Sequence, residues 1–221
     1  MFFLPKTIYE VDSAISGRIR VVEQGSKRRV IVGGYTQSQW DFQKGGAGLT
    51  GTYWMGLLQS PFPLAEHPKT LVLGVGGGTI IKLLQEKFGE ILITAVEIDP
   101  TMITVAREYF QVDGVDWVCQ DAISYVQKLR QERVRFDFIV TDVAIGNVFS
   151  PNIATEEFVA NCRSILTTGG IIVYNLIVTR AQQEQVQPLL KMVKQVFGRF
   201  GSVIIPGVAG ADNLLLFGQA S

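Results

Sequence analysis

Cysteine and histidine are scarce in this chain. Its 221 residues hold two cysteines, Cys119 and Cys162, and one histidine, His67. Two cysteines cannot staple a disulfide framework, so a reduced, cytoplasmic setting is the expectation. No Cys/His set has zinc-ligand spacing, and no metal is expected. Net charge is missing as well: 20 Lys and Arg balance 20 Asp and Glu. A chain without a positive field is poorly suited to neutralising many phosphates, which argues against a nucleic-acid partner. No stretch reaches the ~18 consecutive apolar residues of a membrane span. The segment 1–6 is too short and too little basic at its start for a signal peptide, so no membrane partner is expected either. What is present is apolar material. Hydrophobic residues make up 47% of the chain and charged residues 18%, enough to build a full core. At about 150 residues per domain, the length fits one sizeable domain with a small appendage.

Residues 1–68 and 69–221 read differently. The first part carries strand-like runs at 8–11, 18–23 and 29–32, broken by turn signals at Ser16-Gly17, Gly25-Ser26 and Gly33-Gly34. They predict a small antiparallel β unit. A glycine-rich stretch at 44–51 precedes an apolar segment at 52–59, read as a short helix. Ser60-Pro61-Phe62-Pro63 ends it, because proline lacks a donor and restricts its predecessor. From Lys69 the pattern alternates. Strand runs fall at 70–75, 91–96, 116–119, 136–141 and 170–176, with helical patterns between them at 79–88, 101–109, 122–130 and 155–166. Such alternation predicts a parallel sheet covered on both faces. After a long helix at 181–197, strands at 202–205 and 213–217 are joined by a loop too short for a parallel crossover, so one must run antiparallel. The expected class is therefore α/β. A doubly wound, Rossmann-like, mostly parallel sheet of seven strands ends in an antiparallel hairpin and follows a small N-terminal β unit. That plan resembles the class I S-adenosylmethionine-dependent transferase fold.

The strongest local signal is Leu73-Gly74-Val75-Gly76-Gly77-Gly78-Thr79, a buried strand running through glycines into a helix. Glycines there permit a tight turn and close approach of a ligand to the backbone. Glu97 ends the next strand run, where a carboxylate can accept from both ribose hydroxyls. Gln120-Asp121-Ala122 follows the third run, and a carboxylate there can accept from an adenine amino group. All three elements fall at the carboxyl ends of neighbouring strands, where open α/β sheets bind ligands. The bland reading of the glycines is a tight turn with no ligand. A dinucleotide oxidoreductase is a rival, but its fingerprint wants Gly or Ala where Thr79 stands.

Further stretches resemble the spermidine synthase family, the polyamine aminopropyltransferases. Gly17-Arg18-Ile19-Arg20-Val21-Val22-Glu23 resembles its N-terminal strand pair, and Gly33-Gly34-Tyr35-Thr36-Gln37 its Asp-Gly-x-x-Gln turn with Gly33 for the Asp. Val96-Glu97-Ile98-Asp99-Pro100 is that family's wording, and Phe136-Asp137-Phe138-Ile139-Val140-Thr141-Asp142 resembles its fourth strand with the catalytic Asp. The resemblance implies that Gln37 and Glu97 hold the ribose, Asp121 with Ala122 the adenine, and Gly76, Gly77 and Gly78 the backbone approach. Asp142 would be the catalytic residue that orients and deprotonates an attacking amine. The implied ligand is S-adenosylmethionine, decarboxylated S-adenosylmethionine or methylthioadenosine.

The chain also departs from the family. Its glycine motif continues Gly-Gly-Gly-Asp, with the Asp on the aminopropyl ammonium; here Thr79 stands there. A second, amine-anchoring Asp is Ile145, and a Pro-x-Tyr-Pro near the C-terminus reads Pro206-Gly207-Val208-Ala209. The family's amine-contacting Tyr segment falls near Thr52-Tyr53-Trp54, which reads as displaced. The loop at 143–151 is largely apolar and gives no counter-charge to a polycation. These departures imply a degenerate polyamine site and a small-molecule acceptor that is neutral or partly apolar. An S-adenosylmethionine methyltransferase and a non-catalytic nucleotide-binding protein remain the alternatives. Too few strands to close a sheet, and the family's use of this unit in oligomers, imply a homo-dimer or higher homo-oligomer. Asp99 reads as a helix cap, and His67 and the Lys27-Arg28-Arg29 cluster as surface.

Overall fold

The computed structural model describes residues 3–145, 148–178, 183–207 and 211–221. The chain opens with four strands, β1 (Lys6–Ser13), β2 (Gly17–Gln24), β3 (Lys27–Val32) and β4 (Tyr35–Asp41), paired in that order as an antiparallel meander. The sequence predicts only three of these. The fourth, Tyr35-Thr36-Gln37-Ser38-Gln39-Trp40-Asp41, lacks an apolar alternation and resembles a turn. Gly33 and Gly34, at φ +57° and +85°, make the tight two-residue turn that folds it back on β3. It is held less by its own apolar residues than by what it docks on. Ile19, Val21, Val30, Val32 and Trp40 on the inner face of this sheet belong to the same core as helices further along the chain.

A short 3₁₀ turn (Gly45–Leu49) and helix α1 (Tyr53–Leu57) lead into the second sheet. Then follow β5 (Thr70–Leu73), α2 (Thr79–Phe88), β6 (Ile93–Glu97), α3 (Pro100–Phe110), β7 (Asp116–Cys119), α4 (Ala122–Gln131) and β8 (Phe136–Thr141). A two-residue pair, β9 (Ala144–Ile145) and β10 (Val148–Phe149), precedes α5 (Glu156–Ser164), β11 (Leu166–Val178), α6 (Gln183–Phe197), β12 (Arg199–Ile205) and β13 (Asp212–Gln219). The seven-stranded sheet has the order β12-β13-β11-β8-β5-β6-β7. Its pairs from β11 to β7 are parallel, and β13 runs antiparallel to both neighbours, as the short loop requires. β11 begins earlier than predicted, with a register shift between Leu166 and Ile171 that accommodates Gly169 at φ +78°.

Both sheet faces are covered. One carries Val72, Val140 and Val173 under α1, α2, α3 and the N-terminal sheet. The other carries Leu71, Ile139 and Tyr174 under α4, α5 and α6. The chain leaves β5 towards β6 on one side and later returns to β8 on the other. The carboxyl ends of β5 and β8 therefore flank the switch point, the place where open α/β sheets bind ligands. Side-chain bonds fasten the N-terminal sheet to the segment after β6 and to α3. Ser13 Oγ donates to Asp99 Oδ2 at 2.5 Å, Arg28 to the Tyr109 carbonyl at 2.7 Å, and Tyr9 stacks on Tyr109 with ring centroids 4.7 Å apart. Among the described residues no helix is long and apolar enough to cross a membrane.

Candidate ligand site at the strand ends

The loop from β5 to α2 is shaped by the chain's own packing. Gly74, at φ +83°, lies against the Asp142 carbonyl, where any side chain would collide. A Cβ on Gly77 would stand 2.7 Å from Val30 Cγ2, and one on Gly78 2.5 Å from Val112 Cγ2. A Cβ on Gly76 would stand 2.9 Å from Ser38 Oγ. The missing side chains of Gly76, Gly77 and Gly78 thus make room for the N-terminal sheet and the segment after α3. The sequence also predicts close approach of a ligand to this backbone. The loop N–H groups are engaged too: Gly77 donates to Ser38 Oγ at 2.7 Å and Gly78 to the Val75 carbonyl at 2.9 Å. Thr79 Oγ1 both donates to the Gln39 carbonyl (3.0 Å) and accepts from the Gln39 N–H (2.9 Å), so this hydroxyl is an anchor for β4. Gln37, half-buried on the same strand, reaches the loop through its backbone, its carbonyl facing Gly76.

Glu97 is held rigidly at the end of β6. Its Oε2 accepts from the Val75 N–H (3.0 Å) and the Gly76 N–H (3.3 Å), and its Oε1 from the Asp99 N–H (3.0 Å). A carboxylate offers about four acceptor positions, so one direction remains for a ligand hydroxyl. The Gln120 N–H donates to the Glu97 carbonyl at 3.1 Å, which brings 120–122 alongside. There Asp121 caps α4, its Oδ1 accepting from the Ser124 N–H (2.9 Å) and Oγ (3.0 Å), and Ala122 is buried in the first turn. Ile98, directly after Glu97, is 45% exposed, an apolar side chain left open. Sequence reading passed over Ile98; the signal was an apolar residue just beyond a buried strand.

Asp142 follows β8. Its Oδ1 accepts from Asn175 Nδ2 at 2.7 Å, and its Oδ2 from the Tyr53 hydroxyl at 3.3 Å. Asn175 Oδ1 in turn accepts from Asn213 Nδ2 at 2.8 Å. Burial pushes the Asp142 carboxyl above its ordinary range; the bonds from Asn175 and Tyr53 oppose this, and the charge of Glu97 adds to it. Burial, then the Asp142 charge, pushes the Tyr53 phenol well above its usual value, so it stays a donor. The segment that reads as displaced in the sequence thus delivers a tyrosine hydroxyl to Asp142. Asn175 and Asn213 were also missed. Asn175 had a signal, a polar residue inside the apolar run Ile171-Ile172-Val173-Tyr174-Asn175-Leu176.

The remaining candidates stand apart. Asp99 caps α3; burial would raise its carboxyl, but hydrogen bonds from Ser13, Ser16 and Thr101 outweigh that and lower it. His67 is exposed, and burial pushes the Cys162 thiol up to about 12, which makes it an inert core group. Among the described residues no group of three or more His, Cys, Asp or Glu could hold a metal ion. Gly146, Asn147, Val208 and Ala209 lie outside the described residues.

Comparison with known proteins places this geometry. The model of the spermine/spermidine synthase domain matches residues 53–210. A polyamine aminopropyltransferase of Vibrio vulnificus (strain CMCP6) is 28% identical over 163 residues, 72% of this chain and 52% of that protein. The eEF1A lysine and N-terminal methyltransferase of Bos taurus is 33% identical over 135 residues, 56% of this chain and 19% of that protein. The chain therefore spans about half of the first relative and a fifth of the second. Human methyltransferase-like protein 13, solved in complex with SAH, superposes with a TM-score of 0.61 at 28% identity, covering 79% of each chain. The family model covers well over half of the chain, and the chain belongs to the spermine/spermidine synthase domain family.

Proposed function

We propose that this chain is a spermidine synthase-like transferase that works from S-adenosylmethionine or a related adenosyl nucleotide, with Asp142 as proton acceptor. One observation carries the reading. Two carboxylates, Glu97 and Asp142, are fixed by hydrogen bonds on either side of the 74–78 turn at the sheet's switch point. When bound, such a nucleotide supplies a sulfonium-activated carbon, which passes to the acceptor as the carbon–sulfur bond breaks. The chain's residues do the rest. Glu97 offers its free acceptor position to a ribose hydroxyl, with Gln37 beside it on β4. Ile98 gives an apolar wall to the base, and Asp121 and Ala122 bound its far edge. Asp142 Oδ2 accepts the proton that the attacking group must lose, and Tyr53 and Asn175 hold that carboxylate in line.

The polyamine half of the site is degenerate in this reading. Where the resemblance calls for an aspartate on the aminopropyl ammonium, Thr79 is spent on the Gln39 backbone. A diamine binds through cationic ends that need carboxylates or aromatic faces. The acceptor is therefore a small molecule, neutral or partly apolar. No metal, nucleic acid or membrane takes part, and the setting is cytoplasmic. A methyltransferase is the second reading, and Thr79 favours it: no carboxylate stands there to repel that of S-adenosylmethionine. The test is an assay with putrescine and decarboxylated S-adenosylmethionine. Little or no spermidine is expected. Turnover near the median enzyme's ~10 s⁻¹ would show that the polyamine site is intact.

A further inference from the structure

We propose that Asn213 is a positioning residue that, through Asn175, fixes the hydrogen-bonding face presented to Asp142. The inference rests on reading Asp142 as the proton acceptor, and it starts from the register of β11 and β13. Asn175 lies opposite Leu215, and Asn213 opposite Ile177. The two asparagines are therefore diagonal neighbours on one sheet face, within reach of each other's side chains. An ionised carboxylate only accepts, so Asn175 must turn its NH₂ towards Asp142, and its carbonyl oxygen then points away. Asn213 Nδ2 donates to that oxygen at 2.8 Å, which locks the amide. Turned over, Asn175 would present its oxygen to Asp142, and only a protonated carboxyl could meet it. Asn175 is 3% exposed, so bulk water does not substitute for the lock. Asn213 is half-buried at the start of β13, ahead of the buried Leu214-Leu215-Leu216 run. A polar side chain is not needed there for packing.

The ionisable groups facing Asp142 are Tyr53 from α1 and Glu97 from the end of β6; β11 and β13 contribute the two amides. The neighbouring Asp212 is engaged elsewhere, accepting from the Gly207 N–H at 3.1 Å. The lock thus selects the ionised form of Asp142, the form that can take a proton, without touching the reacting atoms.

The experiment is a carboxyl ¹³C NMR titration of the intact chain, with the Asp142 signal assigned through Asp142→Asn. Asn213→Asp keeps the size but replaces the donor by an acceptor. Asn175 must then turn its NH₂ to residue 213 and its oxygen to Asp142, and the Asp142 midpoint is expected to rise by about one pH unit or more. Asn213→Ala removes the lock without reversing it, and a smaller rise is expected. Both shifts should shrink by at least half when Asn175 is already Ala, since the effect passes through that amide. A direct charge effect would survive in that background and overturn the proposal, as would an Asp142 midpoint unmoved in both variants. The measurement needs neither ligand nor turnover, so its failure is distinct from failure of the transferase reading.

Discussion

Replacing Glu97 should weaken both the fold and the ligand site, and the structure separates the two effects. In Glu97→Ala the N–H groups of Val75, Gly76 and Asp99 lose their acceptor. Hydrogen bonds to a charged group contribute about 1.5–3 kcal/mol each, but this side chain is half-buried and water can replace part of the set, so the sum is about 3 kcal/mol. Urea unfolding reads that loss. Nucleotide affinity should fall by a further ~1–3 kcal/mol, about 5- to 150-fold, because a ribose hydroxyl loses a charged acceptor. Calorimetry at 25 °C on the still-folded variant reads that second loss. Glu97→Gln should fall between the variants. Its NH₂ must face either the Val75 and Gly76 donors or the Asp99 donor, so one side breaks and the other survives. Unchanged unfolding in Glu97→Ala would refute the tie to the glycine turn. Unchanged affinity would refute the ribose contact.

Three further outcomes are expected. The folded Asp142 pKa lies above its unfolded value of about 3.9, so the folded state binds the extra proton between the two values and stability falls as pH rises through that window. Asp142→Asn removes this dependence. Its stability relative to wild type should grow from about pH 4 upward and then level off, whereas a pH-independent difference would contradict the raised pKa. Ser13→Ala should cost about 1–3 kcal/mol in denaturant unfolding at neutral pH, since it strips a donor from the buried Asp99. Asp99 is lowered, so that cost should shrink as pH falls below about 4; no shrinkage would count against it. Finally, β1 is an edge of the N-terminal sheet, and such edges tend to be paired or covered. Sedimentation at micromolar concentration is expected to show a homo-dimer or larger, and monomer alone would contradict that.

Local chemistry made much of the fold legible. The helix at Thr79–Phe88 has glycine at both ends, and Phe136–Thr141 is a short apolar run with polar flanks, so both are read to the residue. The terminal hairpin follows from loop length alone. β4 escaped because its stability comes from elsewhere: Ser38 and Gln39 are tied to Gly77 and Thr79 across the sheet interface. The site divides in the same way. Glu97 and Asp142 are legible because they sit at strand ends beside a glycine turn. Their partners lie far away in sequence, and only packing brings Tyr53, Asn175 and Asn213 onto Asp142. The glycines at 76–78 are legible as a tight turn, while the packing that they also make room for is not. The groups that fill the room they leave come from Val30, Ser38 and Val112.

The most direct test of the account is calorimetric titration of the intact chain with S-adenosylmethionine, its decarboxylated form and methylthioadenosine. At least one should bind, and Asp142→Asn should leave that binding little changed while Glu97→Ala weakens it. Absence of heat with all three nucleotides, in protein shown to be folded, would contradict an adenosyl-dependent transferase and leave a chain that keeps the family's scaffold without its chemistry.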